Sequence, residues 1–457
     1  MSIEGATHLK VPHHKAGQRP AVSKVLARGG SISFLINTTG MGLALLLQII
    51  LARVLGVTSY GIYAFVTTVI TFLVFPAKLG FDTAIVRLIA SYRVHGAWSS
   101  IKGLLRRSNQ ITCALSLLIS AAGLIMLWIR SSVMSSEQTA AYAAGLASIP
   151  LLTLATLRQS ALQAIKDVLF AQMPEKILRP VLTIGLLLLC IYGFGMNAGA
   201  GVAMACFAAA VLVTYVLGAF VLRYRIGPET AGLEPQYETR RWMAVSLSLM
   251  INAGMYLILG QLNVLMMGVM HGSTESGIFS AAVRLAALVS FALTAINMTA
   301  APLLSEMFAK GDTKQLRQVS VLSGRAGFAF AAVVSALFAV LGRWILGLFG
   351  EEFQAAYPAL LILAAGQLFS AYCGQNGTLA TMTGHQGMLT KALMAATVLN
   401  IVLNIALIPL LGMTGAALAA TCSVIGWNTA MVIVIKRKLG IVTLAWIPKR
   451  KSRSGPI

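Results

Sequence analysis

Acidic side chains are scarce in this chain. It has 13 Asp and Glu against 35 Lys and Arg in 457 residues, and charged residues of both signs make up only 11%. Soluble domains are nearer a quarter charged, so a string of ordinary soluble domains is excluded despite the length. Cysteine is rare too, and all five (Cys113, Cys190, Cys206, Cys373, Cys422) lie inside apolar runs without paired spacing. That pattern fits buried free thiols rather than disulfides or a metal site. The motifs GxxxxGK[ST], HExxH and GxSxG are all missing, so there is no P-loop, no zincin helix and no nucleophile elbow. No cofactor is expected, and His13 and His14 stand in a polar tail without further ligands nearby.

What is present is apolar: 58% of residues, with a mean hydropathy of +0.82. In lipid the backbone must satisfy itself, which leaves helices or a closed barrel. The runs here are about 20 residues, helix length rather than barrel-strand length. The expectation is an all-α membrane protein of about twelve transmembrane helices. They read as 32–53, 60–80, 108–129, 142–164, 180–196 and 200–222, then 243–270, 277–303, 322–342, 357–382, 390–411 and 413–435. Residues 1–30 form a basic tail with no apolar h-region, so they are not read as a signal peptide. A second basic tail covers 437–457, and the longest polar link is 223–241.

The chain is internally repeated. Gly61 and Gly277 stand in similar settings 216 positions apart, and Gly199 and Gly415 repeat the same offset. Two lobes, 31–222 and 242–436, are therefore expected. Each lobe has an even number of spans, so both enter from one side and the repeat is parallel.

The formal net charge of +22 invites a nucleic-acid reading, but its distribution argues against one. With the N-terminus in the cytoplasm, the cytoplasmic segments hold all basic residues except Arg53, Lys78, Arg130, Arg158, Arg284 and Arg343. Such one-sided loading is the positive-inside pattern. It places both termini in the cytoplasm and the chain in the plasma (inner) membrane, its cations facing anionic membrane lipid rather than nucleic acid.

Polar groups inside spans are functional suspects because they are costly in lipid. At 100° per residue, Lys78 shares a face with Tyr60, Thr67, Thr71 and Asp82; the plainer reading is an i, i+4 pair with Asp82. Arg284 has Ser276, Ser280 and Thr294 on its side, and Thr294 is the repeat counterpart of Lys78. Two equivalent helices would thus line one positive cavity between lobes, unless Arg284 snorkels to the interface. Arg158 points away from the stripe Thr153, Thr156, Gln159, Ser160, Gln163 and Asp167. Either that stripe is the cavity and Arg158 is structural, or the phase is shifted. Arg53 ends the first span, an ordinary place for an interfacial anchor. No acidic residue falls at mid-membrane in this map, which suits an anionic cargo.

These residues carry a family resemblance. LARVLGVTSYGIY (51–63) and LGFDTAIVRLIASY (79–92) resemble the opening of Wzx-like polysaccharide flippases, in the multidrug/oligosaccharidyl-lipid/polysaccharide exporter superfamily. GHQGMLTKALMAATVLNIVLNIALIPLLGMTGAALAATCS (384–423), with Asn400, Asn404 and Pro409, is similar to that family's last two spans. The resemblance covers about residues 30–436. It implies two six-helix lobes, alternating access, and transport of a polyprenyl-(pyro)phosphate-linked oligosaccharide from the cytoplasmic to the outer leaflet. It also places Arg53 at a basic position before the family's LG turn, and implies a polysaccharide polymerase and export machinery as partners. Substrate phosphates would meet Lys78 and Arg284, with Arg53 and Arg158 as further candidates, and no catalysis is expected. The competing readings are a cation-coupled multidrug antiporter of the same fold, which needs a buried carboxylate, and a membrane polymerase or ligase, which needs a large outer loop with acid/base residues. A non-transporting lipid scaffold is a further alternative.

Overall fold

The computed structural model describes residues 19–445; the first part of the N-terminal tail and the last part of the C-terminal tail lie outside the described residues. Helices α1 (Arg19–Lys78), α2 (Phe81–Val94), α3 (Trp98–Arg130), α4 (Ser136–Ala164), α5 (Val168–Met173), α6 (Arg179–Leu188) and α7 (Ala200–Thr230) form the first unit. Helices α8 (Thr239–His271), α9 (Ser273–Ala309), α10 (Thr313–Gly347), α11 (Tyr357–Cys373), α12 (Asn376–Met382) and α13 (Gln386–Leu439) form the second. Among the described residues ten helical segments are long and apolar enough to cross a membrane. Two of them, in α1 and α13, break at Gly56 (φ 75°) and Gly412 (φ 54°). Each broken helix crosses twice, which makes the twelve expected crossings. Glycine supplies both breaks because a positive φ carries no Cβ penalty for it.

The repeat is visible in backbone geometry. Gly272, 216 positions after Gly56, adopts φ 91°, ψ 169° where Gly56 has φ 75°, ψ 170°. Four residues into each following helix, equivalent side chains reach back to equivalent positions. The Tyr60 hydroxyl donates to Gln48 Oε1 at 3.1 Å, and the Ser276 hydroxyl donates to the Val264 carbonyl at 2.8 Å.

The expected span 357–382 is corrected. It breaks at Gly374 (φ 80°), and residues 440–445 run into the break: Ala445 N–H donates to the Tyr372 carbonyl at 2.9 Å and Thr443 donates to Asn376 at 2.5 Å. The span expected at 180–196 starts earlier, because α5 runs through a π turn (Pro174–Leu178) directly into α6. The polar stretch expected as a link is mostly helix: α7 continues to Thr230 and α8 begins at Thr239. Its middle is stitched to α3, where Lys102 Nζ donates to the carbonyls of Thr230 (3.0 Å) and Leu233 (2.9 Å) and Gln236 N–H donates to Ser99.

The two units meet chiefly along α1 with α9, and to a lesser extent along α1 and α2 with α8. At the end opposite the basic segments, the seam is backbone on backbone. A Cβ at Gly61 would lie 2.8 Å from Thr274 Cα, and one at Gly277 would collide with Gly61 itself. Small residues permit this approach, which is how helices associate closely in lipid. Tyr60 meets Phe353 edge-to-face at 5.3 Å beside the same seam, worth about 1 kcal/mol beyond area burial. Gly61→Val is therefore expected to part this end. In a cysteine-free background, a Thr67→Cys reporter should then label several-fold faster with an impermeant maleimide added on that side, and unchanged labelling would refute the seam's role.

Candidate functional site

Below that seam the buried face of α9 gives way to a partly open polar one. Phe279, Ala281, Ala282, Leu285 and Val289 are buried, whereas Ser290 is half-buried and Thr294 exposed. The hydroxyls of both donate to carbonyls of their own helix, as do those of Thr67 and Thr71 on α1. Their lone pairs remain for a ligand, since a hydroxyl accepts as well as donates. Toward the basic end, the first unit holds a cavity of about 460 Å³ lined by Asp82, Thr83, Val86 and Arg87 of α2 and by Ser160 and Gln163 of α4. Thr83 and Arg87 are one turn apart on α2 and both exposed.

Arg284 lies on α9 between the Gly277 contact and Ser290. It lies eleven residues into α9, roughly 16 Å along the helix from its far end, and so well inside the bilayer. Its side chain is half-buried, its Nε is buried without a hydrogen-bond partner, and no carboxylate among the described residues pairs with it. An intramembrane guanidinium without a counter-charge is costly in lipid, which makes Arg284 the leading candidate to meet a ligand's charge.

Lys78 takes the plainer of its two readings. Its Nζ donates to Asp82 Oδ2 at 2.8 Å. The two residues do not share a continuous helix, since Leu79 (φ 48°) and Gly80 (φ 75°) turn the chain between them. The pair presents a carboxylate and an ammonium together at the cavity mouth, near-neutral in sum. Close to it, Arg87 has no ion-pair partner among the described residues, and sequence phase had not singled it out. Its signal was the i, i+4 spacing with Thr83 on a helix whose opposite face is apolar.

Two of the sequence candidates are corrected. Arg158 lies apart from the cleft and is structural: only 4% exposed, it donates from Nη2 to Glu175 Oε1 at 2.9 Å and from Nη1 to the Thr214 carbonyl at 3.2 Å. A side chain at Gly218 would overlap its guanidinium. Ser160 and Gln163 of the polar stripe line the cavity, whereas Thr153 of the same stripe is buried. Arg53 spans the seam instead of waiting in the cavity. Its Nε donates to the Leu348 carbonyl (2.8 Å) and its Nη2 to that of Gly347 (2.7 Å), capping the C-terminus of α10, where the helix dipole favours a cation. One of the carboxylates that the sequence map puts at cytoplasmic ends is enclosed by protein. Glu175, in the π turn between α5 and α6, is 8% exposed. Arg179 Nη2 holds its Oε2 at 2.7 Å while Arg158 holds the other oxygen.

In the second unit, Asn263 of α8 accepts from Asn400 (3.2 Å) and Asn404 (2.8 Å) of α13, all three buried. The triad ties the two helices together through neutral amides. No group of three or more His, Cys, Asp or Glu able to hold a metal is found among the described residues.

Residues 26–308 match the family described as polysaccharide biosynthesis protein, which is more than half of the chain. The chain belongs to that family. Over 165 residues it is 28% identical to a probable low-salt glycan biosynthesis flippase, Agl15, of Haloferax volcanii; the match covers 35% of this chain and 34% of that protein. Its fold is similar to an inward-facing multidrug-resistance MATE transporter of the MOP superfamily (TM-score 0.69, 14% identity, 89% of this chain and 98% of the other). The lipid II flippase MurJ in an inward closed conformation is similar as well (TM-score 0.64, 15% identity, 88% and 87%). So is a MOP-superfamily transporter of Pyrococcus furiosus with a reverse-polarity binding pocket (TM-score 0.59, 15% identity, 91% and 96%). This family member is a multi-pass helical membrane protein with the fold of those MOP-superfamily structures.

Proposed function

We propose that this protein moves a polyprenyl-(pyro)phosphate-linked oligosaccharide between membrane leaflets during polysaccharide biosynthesis. The observation that carries the proposal is Arg284: a guanidinium within a membrane span, its Nε buried without a partner and no carboxylate among the described residues pairing with it. The pyrophosphate would rest on it, because guanidinium binds phosphate oxygens in a bidentate fork. Arg87, with the Lys78–Asp82 pair, would draw the head group into the cavity mouth. Ser160, Gln163 and the hydroxyls of Thr67, Thr71, Ser290 and Thr294 would bond sugar, and the polyprenyl chain would stay in lipid between the units. Arg53 would hold the far end shut until loading shifts the units.

The positive-inside pattern supports a cytoplasmic basic end, with both termini on that side of a plasma membrane. Two negative charges moving outward across an inside-negative membrane gain roughly 4–5 kcal/mol per 100 mV, so loaded transit needs no nucleotide. A polysaccharide polymerase and export machinery would take the product. The name of the lipid II flippase MurJ supports a lipid cargo, and that of the glycan biosynthesis flippase Agl15 a glycan one. The MATE neighbours favour a second reading, multidrug antiport. That chemistry needs a carboxylate free to bind a cation, and Glu175, the buried acid among the described residues, is engaged by two arginines.

Reconstituted in proteoliposomes, the full chain should expose a fluorescent polyprenyl-pyrophosphate oligosaccharide to an external lectin faster than empty liposomes do. A rate equal to that of empty liposomes, together with raised drug susceptibility in a deletion strain, would overturn the proposal in favour of antiport.

A further inference from the structure

A second polar cavity, of about 250 Å³, lies outside the cleft on the flank of the first unit. Helices α3 and α7 diverge there and α4 forms the floor. The polar side chains that line it are Asn109 of α3, Arg158 of α4, and Tyr215, Arg223 and Thr230 of α7, all able to donate and two of them guanidinium groups, with leucines of all three helices between them. No carboxylate lines it. Arg158 is 4% exposed, and although its two terminal nitrogens are bonded, its Nε is buried and has no partner. The Asn109 amide, the Tyr215 hydroxyl and the Arg223 guanidinium at the rim also have no hydrogen-bond acceptor among the described residues. Donors without acceptors, one of them an unsatisfied buried guanidinium nitrogen, ask for an acceptor-rich anion.

The surroundings decide which anion. Beyond the cavity α7 presents Val216 (54% exposed) and Phe220 (73%), and α3 presents Leu117 and Leu118, an apolar surface suited to acyl chains. Arg223 lies near the basic end of α7, at the depth where head groups sit, and basic pockets between helices on that side of a membrane bind anionic head groups. The volume accepts a phosphoglycerol group and is too small for a lipid-linked oligosaccharide.

We infer that this groove between α3, α4 and α7 binds the phosphate of an anionic phospholipid, separately from the transport cleft. The lipid would brace the divergent ends of α3 and α7 and supply the acceptor that Arg158 Nε lacks.

The test uses the purified full chain, delipidated in detergent, titrated with dioleoyl phosphatidylglycerol, dioleoyl phosphatidylcholine or inorganic phosphate. Thermal melting and native mass spectrometry serve as readouts. Phosphatidylglycerol should raise the melting temperature and remain bound, whereas phosphatidylcholine and phosphate should not. Arg223→Gln, at an exposed position where folding is not at risk, should weaken phosphatidylglycerol binding about tenfold, the scale of one lost charged hydrogen bond. Asn109→Leu with Tyr215→Phe should add to that loss. Equal effects of the two lipids, stabilisation by inorganic phosphate alone, or unaltered phosphatidylglycerol binding by both variants would each overturn the inference.

Discussion

Arg284→Ala is expected to slow translocation of a polyprenyl-pyrophosphate oligosaccharide by about 10–100-fold, the range corresponding to a lost charged hydrogen bond of about 1.5–3 kcal/mol. Arg284→Lys should recover part of the rate, because a lysine keeps the point charge but loses the fork. Thermal stability should not fall in either variant. Nothing in the fold leans on this guanidinium: its Nε has no partner, and removing it orphans no carboxylate. Loss of transport at unchanged or improved stability is what distinguishes a cargo-binding charge from a structural one. Wild-type transport by Arg284→Ala would remove the residue from the mechanism.

The second large effect is the opposite in kind. Glu175→Gln is expected to destabilise the protein by about 3–5 kcal/mol, because it leaves a buried cation without its counter-charge. The Arg158 side chain is 3% exposed and the Glu175 side chain 7%, so water cannot compensate Arg158; Arg179, at 24%, can partly turn outward. The double variant Arg158→Met, Glu175→Gln should regain most of the loss, since deleting both members of a buried pair is often near neutral. Thermal melts in detergent of the wild type, both single variants and the double would measure this coupling. Additive losses would show that the ion pair is not the unit. Comparing these variants with Arg284→Ala separates the two intramembrane arginines that sequence had grouped together.

That grouping shows where the sequence was readable. Arg284 stood out because a lone arginine in an apolar run is rare. Ser160 and Gln163 of the polar stripe fall on one cavity wall because α4 is continuous across them. Lys78 and Asp82 were paired correctly by spacing, although the turn at Leu79 and Gly80 means that helical phase was the wrong reason. Arg53 and Arg158 were beyond such reasoning. The acceptors of Arg53 lie 294 and 295 positions away along the chain, and Glu175 faces Arg158 only because a π turn reorients it between α5 and α6.

By itself the sequence determined the architecture. Long apolar runs in lipid must become helices, the 216-residue repeat doubles six crossings into twelve, and the glycines that recur at that interval mark where the chain turns. Tertiary structure alone decided which charges are neutralised. Composition counts cations but cannot say which of them meets an anion, because a guanidinium reaches only a few ångströms and its partner comes from whichever helix packs beside it.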